Sequence, residues 1–246
     1  MSLKKRTRSP RSASWATLRR RPTACPSLDR LLHGGLPRGQ LTLIYGEAAT
    51  GKTAIAIQSA VSCTRGGLEV LFLDADGSFP AERLKQIAGS SLREVAPLIN
   101  ISTPRDLFEQ STIIEELDRF TDDNLGLIVV DTINSLYRLA VTEVDKRFSF
   151  NRELNRQLAY LTHFAKAFDL PIILTSQVHS ILKENDLQSG QIEPVATRAL
   201  SFWSPNIIRL KNTSKPGYKV AYLEKVGGRR SSGLFCYFRL TKWGVE

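Results

Sequence analysis

Residues 41–53 read LTLIYGEAATGKT: an apolar run of strand length, then Gly46, four residues, Gly51, Lys52 and Thr53. Ala54, Ile55, Ile57, Ala60 and Val61 follow at helical spacing. A strand that feeds a glycine turn and then a helix is the opening unit of a layered α/β sheet, which already excludes all-helical and all-β folds for this part of the chain. The glycines let several N–H groups turn inward, and the positive end of the helix faces the same point, so an anion fits there. The spacing is that of a phosphate-binding loop, in which Lys52 reaches the β- and γ-phosphates and the Thr53 hydroxyl binds Mg²⁺. Gly46, Glu47, Ala48, Ala49, Thr50, Gly51, Lys52 and Thr53 are therefore the expected contacts of a nucleoside triphosphate.

The remaining pattern extends the same architecture. Strands are expected at 69–74, about 99–102, 126–131 and 171–176, with helices at about 80–88, 105–120 and 148–168 between them. Continuous apolar strands alternating with amphipathic helices predict a mainly parallel sheet covered on both faces. Leu154, Leu158, Leu161 and Ala165 line one face of the longest helix and read as core. From residue 204 the pattern changes to strands without helices, at 206–210, 218–226 and 233–241, which predicts an antiparallel extension of that sheet. Phe235 and Tyr237 fall on one face of the last strand and Phe238 on the other, so they read as sheet packing before base-stacking platforms.

A chain of 246 residues can bury one large core. The division expected is a basic arm, 1–22, and one core domain, 23–246. The net charge of +10 concentrates in the arm, where Lys4, Lys5, Arg6, Arg8, Arg11, Arg19, Arg20 and Arg21 all precede Asp29, the first acidic residue. Low apolar density predicts disorder to at least about residue 14. Nucleic-acid binding, a nuclear-localisation-like patch and a merely solubilising terminus all fit this composition. Cys25, Cys63 and Cys236 are too scattered for a disulfide framework or a zinc site, which suits a reducing cytosol. No apolar run has the length of a membrane span or follows the arm as a secretory signal would.

The chemistry needs further groups. A phosphate loop requires a carboxylate for the magnesium shell, and Asp131, closing Leu127-Ile128-Val129-Val130, fits that place. Hydrolysis requires a base or water-orienting group. Strand 69–74 ends in Asp74-Ala75-Asp76-Gly77 at the sheet edge where ligands of open α/β sheets bind, and the loop-borne Asp76 is the better placed of the two. A loop aspartate that merely turns the chain before Gly77 is the competing reading. Gln177, at the end of Thr175-Ser176-Gln177, could sense a γ-phosphate, though by itself it reads as a solvated loop residue. His33, His163 and His179 show no ligand-like grouping.

These pieces, in this order, resemble the RecA/RadA recombinase superfamily and, within it, the archaeal RadB paralogues. The resemblance runs from Thr23-Ala24-Cys25-Pro26-Ser27-Leu28-Asp29 through FLDADGSFPAERL (72–84) and TSQVHS (175–180) to KPGYKVAYLEK (215–225) and LFCYFRLTKWGVE (234–246). It implies a RecA-type core with ATP and Mg²⁺ as ligands, the Gln177 strand lying between the phosphate-loop strand and the Asp131 strand. It also implies that Lys52, Asp76 and Gln177 take catalytic roles, and that the stretch after Asp131 (Arg138, Lys146, Arg147) and the loop 179–193 (Lys183) contact DNA, single-stranded by preference. Arg229 and Arg230, beyond strand 218–226, are further candidates for DNA phosphates or, in an assembly, a neighbour's nucleotide. The implied setting is cytoplasmic and nucleoid-associated, with a RadA-type main recombinase as protein partner.

Three departures from the family pattern shape the expected activity. Asp76 stands where the family carries glutamate, one methylene longer, and about 1 Å of misplacement costs on the order of a hundredfold in rate. Slow hydrolysis follows. No helix-hairpin-helix DNA-binding domain fits before residue 23, and the arm carries no F-x-x-A polymerisation motif, Trp15 being its sole aromatic residue. An accessory protein of recombination and repair is thus favoured over an active recombinase building long filaments. A RecA-fold signalling ATPase of the KaiC type, acting on protein partners, is disfavoured by the basic arm and the C-terminal segments.

Overall fold

The computed structural model describes residues 19–119, 124–141, 147–177 and 195–246. In chain order these are β1 (Arg20–Arg21), α1 (Pro26–Leu31), β2 (Leu36–Pro37), β3 (Leu41–Gly46), α2 (Lys52–Arg65), β4 (Glu69–Asp74), α3 (Ala81–Ala88), α4 (Leu92–Val95), β5 (Ile99–Ser102), α5 (Leu107–Glu115), β6 (Leu125–Asp131), α6 (Ser135–Ala140) and α7 (Arg147–Phe168). There follow β7 (Ile172–Gln177), α8 (Val195–Trp203), β8 (Asn206–Asn212), β9 (Tyr218–Val226), β10 (Arg229–Arg230), β11 (Phe235–Thr241) and β12 (Gly244–Val245).

The main sheet runs β12-β11-β9-β8-β3-β7-β6-β4-β5, with β10 pairing back on β9. Strands β8, β3, β7, β6, β4 and β5 run parallel to one another. Every residue of β6 is buried, because helices cover both faces and leave no position free for a polar side chain except at the strand end. On one face α1, α2 and α3 pack over Ile44, Phe72, Val129 and Ile173. On the other, α5 and α7 close over Leu43, Leu73, Ile128 and Leu174. The stripe predicted for the longest helix is realised: Leu154, Leu158, Leu161 and Ala165 are each 1% exposed or less. Burying each of those leucines contributes about 1.5–3 kcal/mol.

The RecA-type reading of the fold holds, with local differences. Strand β8 joins β3 in parallel, so only β9, β11 and β12 form the antiparallel extension expected from residue 204. The helix expected at about 105–120 stops at Glu115 and yields to a 3₁₀ turn at Leu117–Arg119. Its start is set by Asp106, whose side chain accepts from the backbone N–H groups of Phe108 and Glu109. The helices α1, α4 and α6, of four to six residues, are too brief to establish a 3.6-residue period, and α8 is a further helix absent from the expected elements.

The last arginines of the basic arm belong to the folded body. Arg20 and Arg21 pair with Pro37 and Leu36 in a two-stranded ribbon, and Arg20 donates to the carbonyls of Leu32 and Gly35. Residues 1–18 lie outside the described residues. Among the described residues, no helix is long and apolar enough to cross a membrane.

Candidate functional site

The phosphate loop sits between β3 and α2. Gly46 is required there by a neighbour: a Cβ on it would meet the Leu210 carbonyl oxygen of β8 at 2.4 Å. Gly51 turns the chain into α2 with φ +100°, a conformation that L side chains rarely adopt. Thr50 closes the loop on itself, its hydroxyl donating to the Glu47 carbonyl at 2.8 Å. Lys52 bends back over the loop, its ammonium donating to the carbonyls of Gly46 at 2.9 Å and Glu47 at 2.7 Å. Those carbonyls hold the charged end where the outer phosphates are expected.

Three parallel strands bring the remaining candidates to the same edge. Gln177 ends β7 and lies in register with Gly46, so the expected position of its strand, between β3 and β6, is observed. Asp131 ends β6 and is buried; it accepts hydrogen bonds from the hydroxyls of Thr175 and Thr53. Asp74 ends β4 but is buried and turned to its own loop, accepting from the Phe79 N–H at 2.7 Å. Asp76, two residues later, is exposed and accepts from the Thr132 hydroxyl at 2.7 Å. Lys52, Thr53, Asp76, Asp131 and Gln177 thus meet at one end of the sheet, with Asp74 held aside.

The loop that carries Thr132 is pinned on its far side. Ser135 donates to the Ala75 and Thr132 carbonyls. The buried Gln110 donates to the Ile133 carbonyl and to Gln157, which in turn donates to the Leu107 carbonyl and Ser111. These buried amide hydrogen bonds tie α5 and α7 to the segment after Asp131.

Sequence reasoning missed the roles of Thr175 and Thr132. Both position carboxylates. The signal for Thr175 was available once β7 is placed beside β6, because Val130 and Leu174 are in register and Asp131 and Thr175 follow them.

Burial moves the two central charges in opposite directions. It raises the Asp131 carboxyl above the ordinary range; the Thr175 and Thr53 hydrogen bonds oppose this, and the charges of Asp76 and Asp74 add to it. Burial lowers the Lys52 ammonium below its ordinary 10.5, against the pull of Asp131 and Asp76. A raised carboxyl takes up its proton earlier on acidification, and a lowered ammonium loses its proton earlier as pH rises. Nucleotide affinity in the presence of Mg²⁺ is expected to fall on the acid side before ordinary carboxylates titrate, and on the alkaline side before ordinary lysines do. A titration series across pH checks this.

The candidate DNA contacts are not gathered in the same way. Arg138 is exposed on α6, and Arg147 is the first residue of α7. Arg229 and Arg230 are exposed on β10, hairpinned against Val226 and Lys225. Lys146, Lys183 and the loop 179–193 lie outside the described residues. Phe235 and Tyr237 do pack on the sheet face, with ring centroids 5.7 Å apart and Phe235 also 5.9 Å from Tyr222, yet both stay about half exposed. Packing among themselves is therefore only part of their environment, whereas Phe238 on the opposite face is 2% exposed.

Strand order and site together define a RecA-type phosphate-loop fold. The chain belongs to the Rad51 family, whose sequence model matches residues 17–222. It is similar to the DNA repair and recombination protein RadB of Methanococcoides burtonii, 34% identical over 224 residues, covering 91% of this chain and 96% of that one. The RadB of Thermococcus kodakarensis is 37% identical over 227 residues, covering 91% and 97%. A solved structure described as the RadB recombinase superposes with a TM-score of 0.76 at 36% identity, covering 92% of this chain and 98% of that one.

Proposed function

We propose that this chain is an ATP-binding, slowly hydrolysing, DNA-binding protein that assists a RadA-type main recombinase in homologous recombination and repair. Convergence of Lys52, Thr53, Asp131, Asp76 and Gln177 on one sheet edge carries the reading, because that set can grip a triphosphate and also respond to it. The donors suit the ligands: an ammonium for phosphate oxygens, and a hydroxyl with a carboxylate, both hard oxygen donors, for Mg²⁺. Thr53 and Asp131 would hold the metal, Asp131 through water. When bound, Mg²⁺ would neutralise charge on the phosphate oxygens. Members of the Rad51 family are generally ATPases, which supports the same assignment.

DNA binding rests on the family membership and on charge. From Val195 onward the only acidic side chains are Glu224 and Glu246, against a much larger number of lysines and arginines. Arg138, Lys146, Arg147, Lys183, Arg229 and Arg230 are the proposed contacts, single-stranded DNA the proposed form, and the basic arm ahead of Arg20 a further electrostatic element. The accessory role is supported by the short Asp76. Its test is the mass in solution with and without ATP and single-stranded DNA. A monomer or dimer throughout is expected; filament growth on addition of both would instead make this chain an active recombinase.

A further inference from the structure

Beside the nucleotide site, a cleft of about 550 Å³ opens between α8 and the sheet at β3, β8 and β9. None of Lys52, Thr53, Asp76, Asp131 and Gln177 lines it. Ile207 and Phe202 give it apolar wall, and Phe202, 75% exposed, offers a ring on which a flat group can stack. Arg198, Lys225 and Arg230 bring positive charge to it. Lys225 is steadied there by donating to the Ser201 carbonyl at 2.9 Å.

Among these cations stands Glu224, one of only two acidic side chains from Val195 onward. Its placement is built by the strands. The register of β9 on β8 passes from Leu223 opposite Ile208 to Lys225 opposite Ile207, which leaves Glu224 as the extra residue of a bulge. A bulge re-aims the side chain it carries. Tyr45, the residue before Gly46, then reaches past β8 and its phenol donates to Glu224 Oε2 at 2.7 Å. Burial, together with Glu224 as acceptor and as charge, raises that phenol above its ordinary 10, so it remains a donor at neutral pH. The other oxygen, Oε1, has only a long ion pair among the described residues, 3.9 Å to Arg209, which is outside hydrogen-bond reach.

A fixed carboxylate in a basic cleft sorts the parts of a nucleic-acid strand. The cations attract phosphates. The carboxylate repels them and, having acceptor capacity alone, takes N–H donors instead. Cytosine presents an exocyclic amino group, as adenine and guanine do, and thymine has none. We propose that this cleft takes an unpaired base of a single strand, and that Glu224, held by Tyr45, accepts from the amino group of the base while Arg198, Lys225 and Arg230 face the flanking phosphates. The inference rests on the DNA-binding reading and adds to it a preference among bases.

Fluorescence anisotropy of the full chain with oligo-dC and oligo-dT of equal length, at one salt concentration, tests it. In Glu224→Gln the amide oxygen can keep the Tyr45 bond while the NH₂ turns to the base. The ratio of dC to dT affinity is therefore expected to fall about tenfold, a typical size for one base-edge contact, with oligo-dC weakened and oligo-dT strengthened. Tyr45→Phe, which releases the carboxylate, is expected to lower the ratio by less. Arg230→Ala is expected to weaken both strands and leave the ratio alone. An unchanged ratio in Glu224→Gln overturns the proposal, whether both affinities stay the same or both rise together; the second result would mark Glu224 as a bare charge. A fall of the ratio in Arg230→Ala as large as in Glu224→Gln overturns it as well. If the unaltered protein binds both strands and only the ratio fails to respond, DNA binding stands and the base reading falls. If it binds neither strand, both readings fall together.

Discussion

Replacing Lys52 with alanine is expected to weaken ATP binding by roughly thirtyfold to several thousandfold, the range seen when one partner of a buried charge pair is truncated. Two features place Lys52 toward the upper end. The residue as a whole is 9% exposed, so its charge acts on the phosphates with less screening by water than a surface lysine's would. It is also held in place before any ligand arrives, by the carbonyls of Gly46 and Glu47, so little side-chain freedom remains to be lost on binding. The fold itself should tolerate the change, because the same burial that makes Lys52 effective toward phosphate opposes its charge in the free protein. Thermal melts separate the two effects. Ligand at a hundred times its Kd stabilises a native protein by about 2.7 kcal/mol. That ATP-dependent gain should vanish in Lys52→Ala while the nucleotide-free melting temperature stays close to that of the unaltered protein. Undiminished ATP affinity would remove the phosphate-loop assignment.

The parts of this site that a sequence reveals are those fixed by local chain geometry. Gly46, Gly51, Lys52 and Thr53 lie in a continuous segment whose spacing alone sets the loop, while Asp131 closes an apolar strand and Asp76 follows the end of one by two residues. The parts that stayed hidden depend on contacts between distant segments. Thr175 matters because β7 lies beside β6, and Leu240 because β11 crosses back to Gly51, a pairing separated by most of the chain. The parallel pairing of β8 with β3 was obscured for a related reason. Asn206–Asn212 follows α8, and without that helix among the expected elements nothing marks a crossover, so the strand reads as part of the C-terminal hairpins. Exposure was the hardest property to infer. The alternation of Phe235, Tyr237 and Phe238 identifies two faces of β11 correctly, but says nothing of which face a neighbouring element covers.

The reverse substitution to a removal, Asp76→Glu, is expected to raise ATP turnover, by as much as about a hundredfold if the missing methylene accounts for the whole deficit. The geometry favours a gain over a loss. Asp76 is exposed and faces the site edge, so a longer side chain has room. Its present carboxylate accepts from the Thr132 hydroxyl at 2.7 Å, which ties it to the loop after β6. A glutamate can keep one oxygen on Thr132 and extend the other, whereas aspartate must choose. Phosphate release at saturating ATP, with and without single-stranded DNA, measures the effect. ATP affinity should change little, because Lys52 and Thr53 are untouched, and the gain should therefore fall on the rate of the chemical step rather than on binding. An equal or lower rate with unaltered affinity would make Asp76 a structural partner of Thr132, one that ties the loop after β4 to the loop after β6 and leaves the orientation of water to another group.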